Sequence, residues 1–204
     1  MDDATLAAPR VLGRSSNGML MTPEEFDAVE TFDGRYSYEL IHGVVVVNPI
    51  PMAEETDPNE ELGVLLRVYR QQHPQGAALD ATMPQQYVRT RTGRRLADRV
   101  VWAGLGRLPD RRNDTPTVAV EFVSRRRRDR RRDYVDKRQE YVEAGVAEYW
   151  IIDHFRRTVT VVRPGPSGPV DQVVAEAETY ATPLLPGFEL PLAQLLAAAD
   201  RWAE

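Results

Sequence analysis

The sequence of 204 residues has no cysteine, only three histidines and a single lysine among its 26 basic residues. The absence of cysteine excludes disulfides, Cys-based zinc sites, iron–sulfur clusters and thiol catalysis. The histidines stand at unrelated spacings, so neither a His-rich metal centre nor a haem partner is expected. No run approaches the roughly 18 apolar residues that span a bilayer, and the N-terminus lacks the basic and then apolar pattern of a signal peptide. We therefore expect a cytoplasmic protein with no membrane partner.

The overall composition is that of a folded protein, with 42% hydrophobic and 28% charged residues. The length favours one domain. The formal net charge of -5 weighs against a protein that coats nucleic acid constitutively. Of the 26 basic residues, Lys137 is the only lysine and the other 25 are arginine, which is typical of a GC-rich coding sequence. Because the two side chains are not chemically interchangeable, the position of the one ammonium group is of interest.

The order of predicted elements indicates an α+β protein. Residues 1–21 are polar and aperiodic, so a disordered N-terminal tail is expected there, followed by a single domain over residues 22–204. Thr22–Glu25 and Asp57–Glu60 each contain the cap, proline and acid of a helix start. After the second of them, leucines recur at helical spacing as far as Tyr69. Strand-like runs and helices follow, which predicts one central sheet with helices packed on it.

Two glycines mark further boundaries. His42-Gly43 separates the strand-like runs Tyr36–Ile41 and Val44–Val47 and predicts a hairpin. Gly145 stands directly after a helix predicted from about residue 127 to residue 144, in the position that favours a left-handed backbone. We therefore expect that helix to end there.

Acidic residues are the candidates for chemistry, because cysteine is absent and histidine is scarce. Asp98 stands at the head of an apolar strand, and strand-forming residues surround Glu121 on both sides. A buried, unpaired carboxylate costs several kcal/mol, so each acid needs compensation. One possibility is an arginine partner, for which Arg99 is the local candidate. The other is a divalent cation held by both acids, since Mg²⁺ prefers hard oxygen ligands.

Lys137 lies on the helix that follows the strand of Glu121, and such a helix packs back against its sheet. Asp133 precedes Lys137 by four residues on the same helix face. One interpretation is an ordinary surface ion pair of small stabilising effect. The other is a lysine that points at the two acids, where its ammonium positions a water nucleophile or stabilises charge on a phosphate. The sequence leaves both open.

Several segments together form an ordered pattern. They are Tyr38–Gly43, Asn48–Pro51, Val120–Ser124, Asp133–Tyr141 and Ala144–Asp153. This set, which extends over about residues 21–163, resembles the Uma-two family of restriction endonucleases, within the PD-(D/E)XK nuclease superfamily. The resemblance implies a restriction-endonuclease-like fold with a central mixed β-sheet flanked by helices, Mg²⁺- or Mn²⁺-dependent hydrolysis of phosphodiester bonds in DNA, and a homodimer.

The resemblance also implies roles for individual residues. Asp98 and Glu121 would be the two acids that ligate Mg²⁺ or Mn²⁺, and Lys137 would complete the catalytic set. The other implied site residues are Glu39 as a further metal ligand, and Asp133 and Tyr141 as supports of Lys137.

The chain departs from the family pattern in several places. The proline of the "PD" element is Ala97, which changes backbone shape rather than chemistry. The superfamily's lysine usually stands two residues after the second acid, where this chain has Val123, so the lysine is inferred to have moved to the next helix. A histidine common at the start of the second helix is replaced by Asn59 or Glu60, which leaves the acid–acid–lysine set intact.

An arginine run lies between the second acid and the lysine. Next to the proposed metal site, these arginines would contact a phosphate backbone and offset the acidity of the chain. The alternative is a solvated helix start, although arginines there oppose the helix dipole. The predicted nucleic-acid-binding residues are Arg125, Arg126, Arg127, Arg128, Arg130, Arg131 and Arg132.

The sequence therefore supports a metal-dependent endonuclease and leaves two alternatives. One is a catalytically silent, nuclease-derived module that binds nucleic acid or a protein. The other is a purely structural interaction protein. Convergence of Asp98, Glu121 and Lys137 would favour the enzyme, whereas a solvent-facing Lys137 with an arginine on Glu121 would favour a binding module.

Overall fold

The computed structural model describes residues 11–125 and 131–202. The chain forms two compact units. The first contains the residues up to Ile50 together with Arg89–Leu96, and the second contains Pro51–Val88 and the residues from Ala97 onward. Since the first unit is built from two separate stretches of chain, no single linker divides the protein. The prediction of one domain over residues 22–204 stays a prediction.

The first unit contains a short helix, two short paired strands and a hairpin. Its elements are β1 (Val11–Leu12), α1 (Pro23–Asp27), β2 (Thr31–Phe32), β3 (Tyr36–Ile41) and β4 (Val44–Pro49), with a 3₁₀ turn at Arg14–Ser16. The Thr22 hydroxyl accepts the Glu25 N–H, and the Glu25 carboxylate accepts the Thr22 N–H, so α1 begins as its sequence predicts. Strands β3 and β4 pair antiparallel around His42-Gly43, which confirms the hairpin.

The expectation of a disordered tail is wrong for residues 11–21. Strand β1 pairs in parallel with β2, and Leu12 and Met21 are buried. The two buried residues form no periodic pattern in the sequence, yet they anchor the segment because each removes an apolar side chain from water. Residues 1–10 lie outside the described part of the chain.

The second unit contains the remaining helices and most of the sheet. Its elements are α2 (Ala53–Gln72), a 3₁₀ turn (Gly76–Ala78), β5 (Leu79–Thr90), β6 (Gly93–Ala103), β7 (Val118–Phe122), a π-helical segment (Arg132–Asp136), α3 (Lys137–Glu143), β8 (Glu148–Asp153), β9 (Thr158–Arg163), β10 (Val170–Ala175), β11 (Thr179–Ala181), β12 (Glu189–Pro191) and α4 (Leu192–Asp200). The end of β5 and the start of β6 belong to the first unit.

The sheet is mixed. In the second unit the strand order is β10-β9-β8-β7-β6, with β5 paired to β6. Strands β7 and β8 are parallel, and β6–β7, β8–β9 and β9–β10 are antiparallel. In the first unit the start of β6 pairs with β3, which pairs with β4. The described residues contain a mixed sheet of eight strands and four α-helices, which confirms the predicted α+β class with a central mixed sheet.

Helices cover both faces of the sheet in the second unit. Helices α2 and α4 pack together, and their leucines share one apolar core with Val118 and Val120 of β7. On the other face, Tyr141 of α3 shares a second core with Ala119 and Val123. Strand β7 is therefore buried on both sides, and its alternation puts Glu121 on the same face as Ala119, towards α3.

Helix α2 begins one turn before the position that its sequence predicts. The Glu55 carboxylate accepts the Met52 N–H, and the helix runs from Ala53. Pro58 consequently lies inside the helix, and Asn59 is buried rather than at the exposed helix start. None of the described helices has the length and apolar character needed to cross a membrane.

Candidate active site

Glu121 and Lys137 form a buried ion pair. Glu121 is 4% exposed and Lys137 is 5% exposed, and the Lys137 Nζ lies 2.7 Å from the Glu121 Oε1. The Tyr141 hydroxyl donates to the same oxygen at 2.9 Å. Because Lys137 and Tyr141 are four residues apart on α3, they project from the same helix face. The helix that follows β7 thus delivers two donors to one carboxylate.

Asp98 lies beside this pair, on the neighbouring strand. The antiparallel register pairs Arg99 with Val120, and its continuation by one residue sets Asp98 opposite Glu121. The Asp98 Oδ2 accepts the Phe122 N–H at 2.8 Å. The Asp98 Oδ1 has the Gln85 Nε2 at 3.4 Å, which is at the outer limit of a hydrogen bond.

Burial raises the pKa of Asp98 well above its ordinary value, and the charge of Glu121 raises it further. The Lys137 ammonium and the Phe122 N–H act in the opposite direction but do not reverse the shift. A carboxyl group in this position ionises at a free-energy cost unless another positive charge is brought near it. The structure therefore brings Asp98, Glu121 and Lys137 together, and burial and the Glu121 charge outweigh the effect of the lysine on the pKa of Asp98.

Asp133 is the third carboxylate of the cluster. It is buried, and its Oδ1 lies 3.6 Å from the Lys137 Nζ. Its backbone carbonyl accepts the Tyr149 hydroxyl at 3.0 Å, a contact that no sequence pattern reveals, since Tyr149 sits within an apolar strand. The Asp133–Lys137 pair is therefore not a surface ion pair. The interpretation of Lys137 as a lysine that points at the acids describes its position correctly.

Glu39 belongs to the first unit, where β3 buries it. Its carboxylate accepts the Leu96 N–H and the Asn48 side-chain amide, each at 3.2 Å. These contacts hold the Glu39 side chain between β4 and β6, the two strands that pair with β3. Its role as a further metal ligand stays a prediction.

The side chain of Arg99 points away from Asp98. Its guanidinium donates to the Asn59 Oδ1 and backbone carbonyl, at 2.7 and 2.8 Å, on the α2 side of the sheet. Neighbouring residues of a strand project to opposite faces, so Arg99 cannot neutralise the carboxylate next to it in the chain. The idea of Arg99 as the ion-pair partner of Asp98 is wrong.

Of the predicted arginines, Arg125, Arg131 and Arg132 are described. Arg125 and Arg131 are exposed and Arg132 is partly exposed. The Arg125 Nε lies 3.5 Å from the Glu54 Oε1. Arg126, Arg127, Arg128 and Arg130 lie outside the described residues, and the contact of the run with phosphate stays a prediction.

The donor set can be tested against a divalent cation. Within residues 11–125 and 131–202, no group of three or more histidine, aspartate or glutamate side chains is arranged to hold a metal. Mg²⁺, however, is commonly held by one or two carboxylates and completes its octahedron with water and substrate phosphate. Two adjacent carboxylates, one of them with a raised pKa, fit that mode of binding.

The chain resembles proteins already known. A crystal structure of a putative nuclease belonging to DUF820, from Anabaena variabilis, superposes with a TM-score of 0.68 and 15% sequence identity, covering 88% of this chain and 99% of that one. No curated protein sequence matches significantly. The model of the Uma2 family, described as "Putative restriction endonuclease", matches residues 23–193, which confirms the resemblance seen in the sequence. The chain belongs to the Uma2 family.

Proposed function

We propose that this protein is a metal-dependent endonuclease that hydrolyses phosphodiester bonds in DNA. The observation that carries the proposal is the buried lysine ammonium at 2.7 Å from Glu121, with Asp98 opposite on the next strand. Membership of a restriction endonuclease family supports a nuclease. Asp98 and Glu121 are the proposed ligands of Mg²⁺ or Mn²⁺.

Each residue of the site has its own proposed role. A bound Mg²⁺ would supply Lewis acidity and neutralise charge on the scissile phosphate. The Lys137 ammonium would place positive charge beside the attacking water and the phosphoryl oxygen on which negative charge develops. Tyr141 fixes the shared Glu121 oxygen, and Asp133 holds the ammonium from the other side. Because these groups are already in place, little reorganisation accompanies the reaction.

The arginine run is the proposed contact to the DNA backbone. Arg125 and Arg131 are exposed and lie in the segment between β7 and the helix that carries Lys137. Exposed guanidinium groups bind phosphate in a way that does not depend on base sequence. The family resemblance also supports a homodimer, which size-exclusion chromatography with light scattering would test.

A catalytically silent binding module is the second candidate, and one observation favours it. Lys137 and Tyr141 both contact Glu121 Oε1, so that carboxylate is well compensated by protein groups alone. A fold can keep such a pair for its structure after activity is lost. The enzyme and the module differ in one property, which is binding of a divalent cation that depends on Asp98 and Glu121.

Titration calorimetry with Mg²⁺ and Mn²⁺ on the wild type, Asp98→Asn and Glu121→Gln tests the proposal, with plasmid and single-stranded DNA cleavage measured on the same proteins. Glu143→Gln is the matched control, because it removes an exposed carboxylate from α3. Metal binding and cleavage should disappear in the two site variants and persist in the control. A wild type that binds neither ion, even with DNA present, would leave the binding module as the function.

A further inference from the structure

Arg99 is fully buried, and no carboxylate of the described residues lies within normal hydrogen-bond distance of it. Its side chain is 0% exposed, and the nearest of these acids, Glu60, has its Oε1 at 3.9 Å with a side chain that is 59% exposed. Its Nη1 is 3.4 Å from the Thr82 hydroxyl. Burying a guanidinium without a well-placed counter-ion is costly, and apolar residues of similar volume are often neutral or better in such positions. The nearest residues of this sheet face, Val101, Val118 and Val120, are apolar, so packing alone does not account for Arg99.

Asn59 links Arg99 to the backbone of Asp98. Its Oδ1 accepts the Arg99 Nε–H at 2.7 Å, and its Nδ2 donates to the Asp98 carbonyl oxygen at 2.9 Å. Only one orientation of the amide satisfies both bonds, because the oxygen must face the guanidinium and the nitrogen must face the carbonyl. Asn59 is itself 6% exposed, so water does not compete with either bond.

Gly63 provides the space for this arrangement. It lies one turn after Asn59 on α2, and a Cβ at this position would stand 2.7 Å from the Arg99 Nη2 and 2.9 Å from its Cζ. The helix thus has a side-chain-free position where the guanidinium lies. Asn59 and Gly63 of α2 and Arg99 of β6 therefore fit together beside the Asp98 carbonyl.

We propose that Arg99 and Asn59 are positioning residues of the candidate active site, which hold the Asp98 backbone so that its carboxylate stays on the Phe122 N–H beside Glu121. This inference rests on the proposed function for its catalytic consequence. The Asp98 carboxylate lies on the α3 side of the sheet, whereas its backbone carbonyl is bound from the α2 side. Partners of this kind typically change metal affinity or activity by 10–100-fold when they are removed.

Asn59→Asp separates positioning from stability. The aspartate still accepts the Arg99 Nε–H and gains an ion pair, but it has no donor for the Asp98 carbonyl. The unfolding temperature should stay at the wild-type value or rise. Mg²⁺ affinity and kcat should fall about 10–100-fold, whereas KM for DNA should change little because the phosphate contacts are untouched. Glu143→Gln again serves as the control.

A second measurement needs neither metal nor activity. Amide hydrogen exchange of Phe122 reports its bond to the Asp98 carboxylate, and it should accelerate at least about tenfold in Asn59→Asp. Gly63→Ala repeats the test without changing either polar side chain, since its methyl group displaces the guanidinium. Unchanged Phe122 exchange in both variants would overturn the inference. A wild type without metal binding would overturn the proposed function instead, and the exchange comparison would still decide on the positioning role.

Discussion

The two donors on Glu121 make Lys137 a structural as well as a chemical residue. A buried carboxylate that loses its counter-ion is strongly destabilising, typically by about 3–5 kcal/mol. We expect Lys137→Met to lose that amount of unfolding free energy in urea titrations, and to lose cleavage. The double variant Lys137→Met/Glu121→Gln should recover most of the stability, because the Tyr141 hydroxyl can still donate to the glutamine carbonyl, but it should recover no cleavage.

The double-mutant comparison has a clear contrary result. If Lys137→Met were as stable as the wild type, Glu121 would already be neutral or differently compensated, and the ion pair would not organise the site. If the double variant were as unstable as the single one, the loss would come from packing around the lysine stem rather than from an uncompensated charge.

Asp98 should make the fold less stable as the pH rises. Its pKa in the folded protein is raised by burial and by Glu121 above the ordinary value of 3.8, so the folded state holds the proton more tightly than the unfolded chain does. The stabilising effect of the protonated group is therefore lost progressively as the pH rises from about 3.8 through the raised pKa. Asp98→Asn should be more stable than the wild type at neutral pH in the absence of metal.

Thermal unfolding of both proteins between pH 4 and pH 8, with and without Mg²⁺, measures this effect. The advantage of Asp98→Asn should shrink towards low pH, and Mg²⁺ should raise the unfolding temperature of the wild type alone. A constant difference across the pH range would mean that Asp98 keeps its ordinary pKa in the folded protein.

The residues of the site could be predicted from sequence, but the directions in which their side chains point could be predicted only in part. Asp98, Glu121 and Lys137 stand out by residue type and family pattern, and the structure brings them together. The contact of Asn59 with the Asp98 carbonyl joins residues 39 positions apart, and no local pattern contains that pairing. Arg99 is different, because strand alternation alone puts it on the face opposite to Asp98.

Helix α3 ends in a way that supports the site. The Val146 N–H bonds to the Tyr141 carbonyl and the Gly145 N–H to the Val142 carbonyl, which is the Schellman arrangement. Gly145 has a φ of 90°, a left-handed conformation that glycine adopts without strain. The sequence predicts this stop correctly, because a glycine directly after a helical pattern is the residue that most often takes the left-handed position at a helix end.

Gly145→Ala should therefore destabilise the protein by about 1–2 kcal/mol, measured as a lower urea midpoint at an unchanged slope. No atom of the described neighbours lies within 4 Å of the added Cβ, so the cost is in the backbone alone. Gly34→Ala is the control, since that glycine also has open space but no positive φ, and it should change stability little. Equal effects of the two substitutions would argue against strain at the helix end.

The start of α2 shows where local signals mislead. Asp57–Glu60 has the residues of a helix start, but the helix begins one turn earlier, where the Glu55 carboxylate accepts the Met52 N–H. Pro58 therefore lies inside the helix. Helix-start signatures depend on which of two nearby candidates is stabilised by packing, and α2 packs along α4, which is distant in sequence. The local pattern predicts that a helix is present but not where it begins.

At the scale of the whole chain, composition and periodicity predict the α+β class, whereas the strand order is not contained in them. The neighbouring strands β6 and β7 are joined by a long connection, and β7 and β8 are parallel on either side of α3. Such pairings depend on long-range contacts. The family pattern supplies what periodicity does not, since it links Asp98, Glu121 and Lys137 as one expected catalytic set.

The net charge of -5 should make DNA binding strongly dependent on salt. An acidic protein binds DNA only through a local concentration of positive charge, so affinity should fall steeply as the salt concentration rises. Removing two phosphate contacts with Arg125→Gln/Arg131→Gln should reduce the slope of log K against log salt by about 1.8, at roughly 0.9 per contact for duplex DNA. Arg35→Gln, which removes an exposed arginine from the first unit, should leave the slope unchanged. A slope that is equal in all three proteins would mean that DNA binds elsewhere on the molecule, whichever of the two candidate functions is right.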